Sequence, residues 1–134
     1  MKSKKLMDLA IKARQNAYCK YSSFSVGAAL LAKSGKVYLG CNVENASYTP
    51  TNCAERTAFF KAVSEGEREF EKIAIVGGMG NNLSDACPPC GVCRQVIAEF
   101  CDGDFVIVLG TEEKVLEYKF SEILPLAFTP KSLN

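Results

Sequence analysis

Apolar residues recur along this chain with two different periods. Leu6, Leu9, Ala10, Ala13 and Ala17 fall three or four apart, which puts them on one face and predicts an N-terminal amphipathic helix. From Phe24 to Lys33 both faces are apolar or small, with Phe24, Val26, Ala28 and Leu30 on one and Gly27, Ala29 and Leu31 on the other. A strand covered on both sides reads this way. Ser34-Gly35 is a turn and Lys36 to Cys41 a second strand, so the pair makes a hairpin. Asn52 to about Glu65 reads as a helix that Gly66 ends. A short strand at Ile73 to Val76 follows, then a helix from about Gly91 to Phe100. Strands at Phe105 to Leu109 and Val115 to Phe120 and a short helix at Ser121 to Leu124 complete the chain. A hairpin followed by strands separated by helices predicts an α/β fold, with a mixed sheet of about five strands between helices on both faces.

Bulk properties narrow the function classes. The 134 residues suit a single domain spanning 1–134, with one core and no repeat or low-complexity linker. The formal net charge is +1, which leaves no electrostatic footprint for a nucleic acid. No apolar run approaches the roughly 20 residues of a membrane span, and the basic start is not followed by a signal-peptide core. Seven cysteines without an export signal fit reduced thiols and metal ligation in the cytoplasm better than disulfides.

The chemistry concentrates in Cys53-Ala54-Glu55 and Pro89-Cys90-Gly91-Val92-Cys93. The chain has no histidine, so cysteines must supply any catalytic zinc site. Three protein ligands leave one tetrahedral position open for water, whereas a structural zinc is closed by four. Glu55, beside the first ligand, is a candidate general acid/base. Cys87-Pro88-Pro89-Cys90 and Cys90-Gly91-Val92-Cys93 are both CxxC. Proline pushes the residue before it out of the helical region, so Cys87 lies in extended chain. Pro89 suits a helix start, and residues three apart in a helix share a face. Cys90 and Cys93 are therefore the better pair and Cys87 a spare thiol. The alternatives are Cys87/Cys90 as ligands, or as a thioredoxin-like dithiol that leaves Cys53 and Glu55 without a role.

Cys53 and Glu55 are two apart and converge only at a helix end, which Asn52 as N-cap would supply. The same residues suit a capping box in which Glu55 reaches back to the Asn52 amide. The three cysteines tip the reading to catalysis. Three thiolates on Zn²⁺ leave a net negative charge that weakens the Lewis acid. Helix N-termini at Cys53 and at Cys90/Cys93 would offset it, and Arg56 can donate hydrogen bonds to ligand sulfur. Arg94 is open between that role and a plain surface charge.

Five motifs together resemble the cytidine deaminases. Tyr21-Ser22-Ser23-Phe24-Ser25-Val26-Gly27-Ala28-Ala29-Leu30 is similar to their first strand, and Cys41-Asn42-Val43-Glu44-Asn45-Ala46-Ser47-Tyr48 to their nucleoside-binding segment. Cys53 to Ala58 and Pro89 to Gln95 resemble the zinc segments, and Ile123 to Phe128 the C-terminal signature. The resemblance implies a three-layer α/β/α cytidine-deaminase-like fold and one Zn²⁺ per chain on Cys53, Cys90 and Cys93. It implies hydrolysis of cytidine and deoxycytidine to uridine and deoxyuridine, with attack at C4 and Glu55 moving the protons. Phe24 would pack on the pyrimidine, Asn42 and Glu44 would bind the ribose hydroxyls, and the Ala54 amide would meet the pyrimidine carbonyl. The resemblance further implies a homotetramer in which groups near Ala46, together with Tyr48 and Phe128, reach a neighbour's nucleoside, with Tyr21 near that interface. Two rivals stand beside this reading. One is a blasticidin-S-type deaminase, against which the complete 42–48 segment argues. The other is a non-catalytic zinc module closed by a fourth cysteine.

Overall fold

The computed structural model describes residues 1–133. Its helices are α1 (Ser3–Arg14), α2 (Ala54–Ser64), α3 (Gly91–Phe100) and the short α4 (Phe120–Ile123). The strands are β1 (Phe24–Ala32), β2 (Val37–Cys41), β3 (Phe70–Met79), the two-residue β4 (Asn82–Leu83), β5 (Val106–Gly110) and β6 (Val115–Lys119). The sheet runs β2-β1-β3-β5-β6, with β4 on the end of β3. β1 is antiparallel to both β2 and β3, β3 is parallel to β5, and β5 is antiparallel to β6. This is the expected mixed sheet.

Alternation along β1 and β3 divides the core into two layers. On one face Ala29, Leu31, Ala74, Val76 and Val108 pack with Leu6, Met7 and Ala10 of α1. On the other, Ala28, Leu30, Ile73, Ile75 and Ile107 pack with Ala58, Phe59 and Ala62 of α2 and Ile97 of α3. Phe59 is fully buried, and its ring meets Phe70 edge-on at 5.1 Å between centroids. Burial of such a side chain contributes about 1.5–3 kcal/mol.

Two glycines set how closely the helices sit on the sheet. A Cβ at Gly27 would fall 2.0 Å from the Ala10 carbonyl oxygen and 2.6 Å from the Arg14 amide, so α1 rests backbone-on-backbone against β1. A Cβ at Gly40 would fall 2.4 Å from the Ala54 carbonyl oxygen and 2.6 Å from the Ala58 amide. That second contact seats the first turn of α2 on β2, and the first turn carries the chemistry. Arg14 then ties the end of α1 to the sheet, donating to the carbonyls of Ser25, Gly78 and Gly80.

The structure departs from the pattern-based elements in three places. β3 is ten residues long and runs on through Gly77-Gly78, where the apolar signal had stopped, and β4 carried no signal at all. α1 starts at Ser3 and ends at Arg14, leaving Ala17 in a turn. Cys53, not Asn52, is the N-cap of α2, and no side chain caps it. The Asn52 amide instead donates to the Thr57 hydroxyl at 3.1 Å.

The Gly27 contact gives a stability test. Gly27→Ala leaves the added methyl nowhere to go except into the α1 backbone, an overpacking cost of about 1–3 kcal/mol or more. A lowered denaturation midpoint at unchanged m-value is the expected result.

Candidate metal and active site

The N-termini of α2 and α3 converge on the sheet face that carries Phe24 and Val26. Cys53 is the N-cap of α2, Cys90 the N-cap of α3, and both have extended backbones just before the helix. Cys93, one turn into α3, is buried. The three Sγ atoms all lie within 4.8 Å of one another, and those of Cys53 and Cys90 are 3.8 Å apart. Tetrahedral ligation at a Zn–S distance of about 2.3 Å requires sulfurs roughly 3.8 Å apart. The donor set is also chemically apt, because soft thiolates suit zinc. The residues present therefore fit the ion, and three ligands leave its fourth position open.

The metal-free sulfurs share charge unevenly. The Cys93 thiol and Arg56 hydrogen-bond to Cys53 and hold its pKa well below the usual thiol range, while the same contact with Cys53 drives Cys93 upward. Arg56 Nη2 donates to Cys53 Sγ at 3.3 Å, which places the guanidinium at the sulfurs. Its Nε is buried with no hydrogen-bond partner among the described residues. Arg94 turns away. It donates from Nε to the Pro89 carbonyl at 2.8 Å and from Nη1 to the Ile123 carbonyl, fastening the C-terminal segment to the Cys90 loop.

Glu55 is the second residue of α2 and only 4% exposed. Loss of solvent pushes its carboxyl up, with the negative charge of Cys53 adding to the effect, to about 7. A cation at the sulfurs would pull it back down. The capping-box alternative does not form, since α2 has no side-chain cap and Glu55 lies beside Cys53 and Cys93. Ala54, the first residue of α2, is fully buried, and the first amides of a helix have no partner inside it.

Around this centre the other expected residues fall into two groups. Phe24 begins β1, and its ring and the Cys87 sulfur both lie against Gly77. Cys87 stands outside the three-sulfur group, and burial raises its thiol to about 11. Asn42 is buried and grips β1, with Nδ2 donating to the Phe24 carbonyl at 2.8 Å and Oδ1 accepting from the Val26 amide at 2.9 Å. Glu44 accepts from the amides of Tyr21 and Ser22, both at 3.0 Å, and from the Ser22 hydroxyl. The Ser22 contacts hold its carboxyl below the usual range. Pattern reading missed Ser22, although a serine two residues before a strand is a turn signal.

The second group is not brought to the sulfurs within one chain. Ala46 and Tyr48 occupy an exposed loop, where Tyr48 is 72% exposed and its ring meets Tyr21 edge-on at 6.3 Å. Phe128 is 60% exposed, and its carbonyl accepts from Gln95 at 2.9 Å. A cleft of about 730 Å³ lies at the far end of α3 beside Phe100, Cys101 and Lys131 and holds none of these groups.

Comparison with known proteins agrees with this geometry. The family model for the cytidine and deoxycytidylate deaminase zinc-binding region matches residues 1–109. A cytidine deaminase of Sporosarcina psychrophila is 49% identical over 135 residues, covering 100% of this chain and 96% of that one. The crystal structure of a cytidine deaminase from Burkholderia pseudomallei superposes with a TM-score of 0.88 at 45% identity, covering 96% of this chain and 100% of that one. A blasticidin-S deaminase of Bacillus cereus is 31% identical over 108 residues, or 78% of this chain and 76% of that one. The chain belongs to the cytidine and deoxycytidylate deaminase family.

Metal content tests the sulfur cluster. Serine at Cys53, Cys90 or Cys93 should abolish zinc binding, while Cys87→Ser should retain it, as read by elemental analysis after gel filtration. Arg56→Gln removes the donor to Cys53 and should weaken zinc binding by about 10–100-fold in a chelator competition.

Proposed function

We propose that this chain is a zinc-dependent hydrolytic deaminase that converts cytidine and 2'-deoxycytidine to uridine and 2'-deoxyuridine with release of ammonia. The observation that carries the reading is a buried carboxylate, Glu55, beside three sulfurs that lie within 4.8 Å of one another. One zinc ion per chain is held by Cys53, Cys90 and Cys93. Bound there, it would supply a Lewis acid that makes a water more acidic.

Glu55 takes a proton from the attacking water and delivers one to N3 of the ring. It passes another to the amino group that leaves C4 as ammonia, so the net reaction consumes one water. Its buried place beside the sulfurs puts one carboxyl where it can both accept and donate. Arg56 draws charge from the Cys53 sulfur. The Phe24 ring packs on the pyrimidine, and the Ala54 amide meets the ring carbonyl. Asn42 spends one N–H and one lone pair on β1, which leaves one of each for a ribose hydroxyl. Glu44 supplies the second contact to the sugar.

Two features support this reading over its rivals. Cys87 lies outside the sulfur group, which argues against a closed four-cysteine module. The 49% identity to a cytidine deaminase exceeds the 31% to a blasticidin-S deaminase. The chain's seven free thiols suit a reducing cytoplasm, and among the described residues no helix is long and apolar enough to cross a membrane. The deciding assay is ammonia release from cytidine, deoxycytidine, cytosine and blasticidin S. Both nucleosides should turn over, and cytosine should be poor because it forgoes the sugar contacts. Glu55→Gln should bind zinc yet lose at least about 10²–10⁴-fold in kcat. Faster turnover of blasticidin S than of cytidine would reverse the reading.

The working unit is a homotetramer whose sites are each completed by neighbouring chains. Tyr21, Tyr48, Phe60 and Phe128 are all at least 45% exposed in the single chain, and such aromatic surface marks an interface. Phe60 lies beside the buried Phe59 on α2, so the helix presents an apolar arc wider than its own sheet covers. Closed two-fold assemblies accommodate this pattern. Sedimentation should give about four times the 14.6 kDa chain mass. Hybrids of Glu55→Gln and Phe128→Ala chains should show activity that departs from the mean of the parents, and a fully active monomer would exclude sharing.

A further inference from the structure

β2 ends at Cys41, and its last ladder partner on β1 is Gly27. The first residues of β1 therefore lack a strand neighbour on that side, although Phe24 sits there. Side chains take the place of the missing strand. The Asn42 amide accepts from the Val26 N–H and donates to the Phe24 carbonyl. The Val26 carbonyl accepts from the Asn42 backbone amide at 3.3 Å, and the Phe24 N–H donates to the Ser22 hydroxyl oxygen at 3.0 Å. That hydroxyl spends its own proton on Glu44 Oε2, while Glu44 Oε1 collects the amides of Tyr21 and Ser22.

Ser22 is thus both an acceptor from one expected substrate-contacting residue and a donor to another. The turn it occupies is strained. Ser23 has φ +61°, a left-handed conformation uncommon for a non-glycine residue, and its amide reaches back to the Cys19 carbonyl at 2.8 Å. Such a conformation persists only where its surroundings over-determine it. Here the surroundings are the Glu44 carboxylate and the Ser22 hydroxyl.

We propose that Ser22 is a positioning residue that locks the sugar-side carboxylate Glu44 to the backbone of the base-side residue Phe24, so that the two halves of a nucleoside meet one preset frame. This rests on the reading that Phe24 and Glu44 contact base and ribose. The bridge makes no contact with the sulfurs, so it sets substrate affinity and leaves the metal and the proton transfers alone.

The test is steady-state kinetics on zinc-loaded protein with cytidine and deoxycytidine, for Ser22→Ala, Ser22→Thr, Glu44→Gln and the double variant Ser22→Ala/Glu44→Gln. Ser22→Ala should raise KM by about 10-fold, the order of one hydrogen bond to a charged group. It should change kcat by less than about threefold and leave zinc content unchanged. Ser22→Thr keeps the hydroxyl and should stay within about threefold of the parent KM. Glu44→Gln should also raise KM, and the double variant should be little worse than Glu44→Gln alone, because the two changes break one unit. Additive losses would place the hydroxyl outside the Glu44 bridge and overturn the proposal. So would an unchanged KM in Ser22→Ala beside a raised KM in Glu44→Gln. An unchanged KM in Glu44→Gln would instead remove the ribose reading itself and the proposal with it. Loss of folding in Ser22→Ala would make the residue a stability element and equally end the idea.

Discussion

The structure depends on three cysteine sulfurs held within 4.8 Å of one another, a separation at which thiolates would repel unless a cation joined them. The hydrogen bond between Cys93 and Cys53 holds the Cys53 thiol below its usual range and drives Cys93 above it. The fold nevertheless holds the sulfurs together, through restraints that lie outside the cluster. Cys53 and Cys90 each cap a helix, so their sulfurs sit at the positive ends of two helix dipoles. α2 cannot retreat, because its first turn is seated on the bare backbone of Gly40. Arg56 brings the compensating charge, and Arg94 fastens the loop before α3 to the C-terminal segment.

The same seating explains why Glu55 is buried. One helix turn brings the Cys53 sulfur, the Glu55 carboxylate and the first amides of the helix to a single small space. A helix N-terminus is the place where residues two apart come close and where amides lack internal partners. The burial that perturbs Glu55 is therefore a by-product of packing α2 on the sheet rather than a separate device.

The polar residues on the opposite wall serve the fold as well as the site. Asn42 closes hydrogen bonds that β2 would have made had it continued past Cys41, and Glu44 collects the amides of the turn before β1. A residue that completes a truncated ladder is held rigidly by it, which is the rigidity the proposed sugar contacts would need. The exposed aromatics tell the reverse story. Tyr48 and Phe128 gain nothing from their own chain's core, and Phe60 faces away from the sheet that buries Phe59.

Much of this was legible in the amino-acid order alone. Periodicity gave the α/β alternation and the doubly covered β1, because burial on two faces leaves a continuous apolar run. The CxxC spacing before a helix separated Cys90/Cys93 from Cys87, because proline restricts its predecessor locally. Local rules failed where contacts are remote. The Asn52 cap was plausible chemistry, yet the chain places that amide on Thr57. β3 runs past its apolar stretch through Gly77 and Gly78, because the partner strand β1 extends the ladder to Phe24↔Met79. The role of Arg94 was undecidable from sequence, since its partner carbonyl at Ile123 is 29 residues away. The sequence by itself determined which groups exist and which lie on a common helix turn, for those follow from spacing and backbone sterics. Only the tertiary structure decided that α2 and α3 point their N-termini at one place, and that Ser22 stands between Glu44 and Phe24, because those distances are set by packing across the sheet.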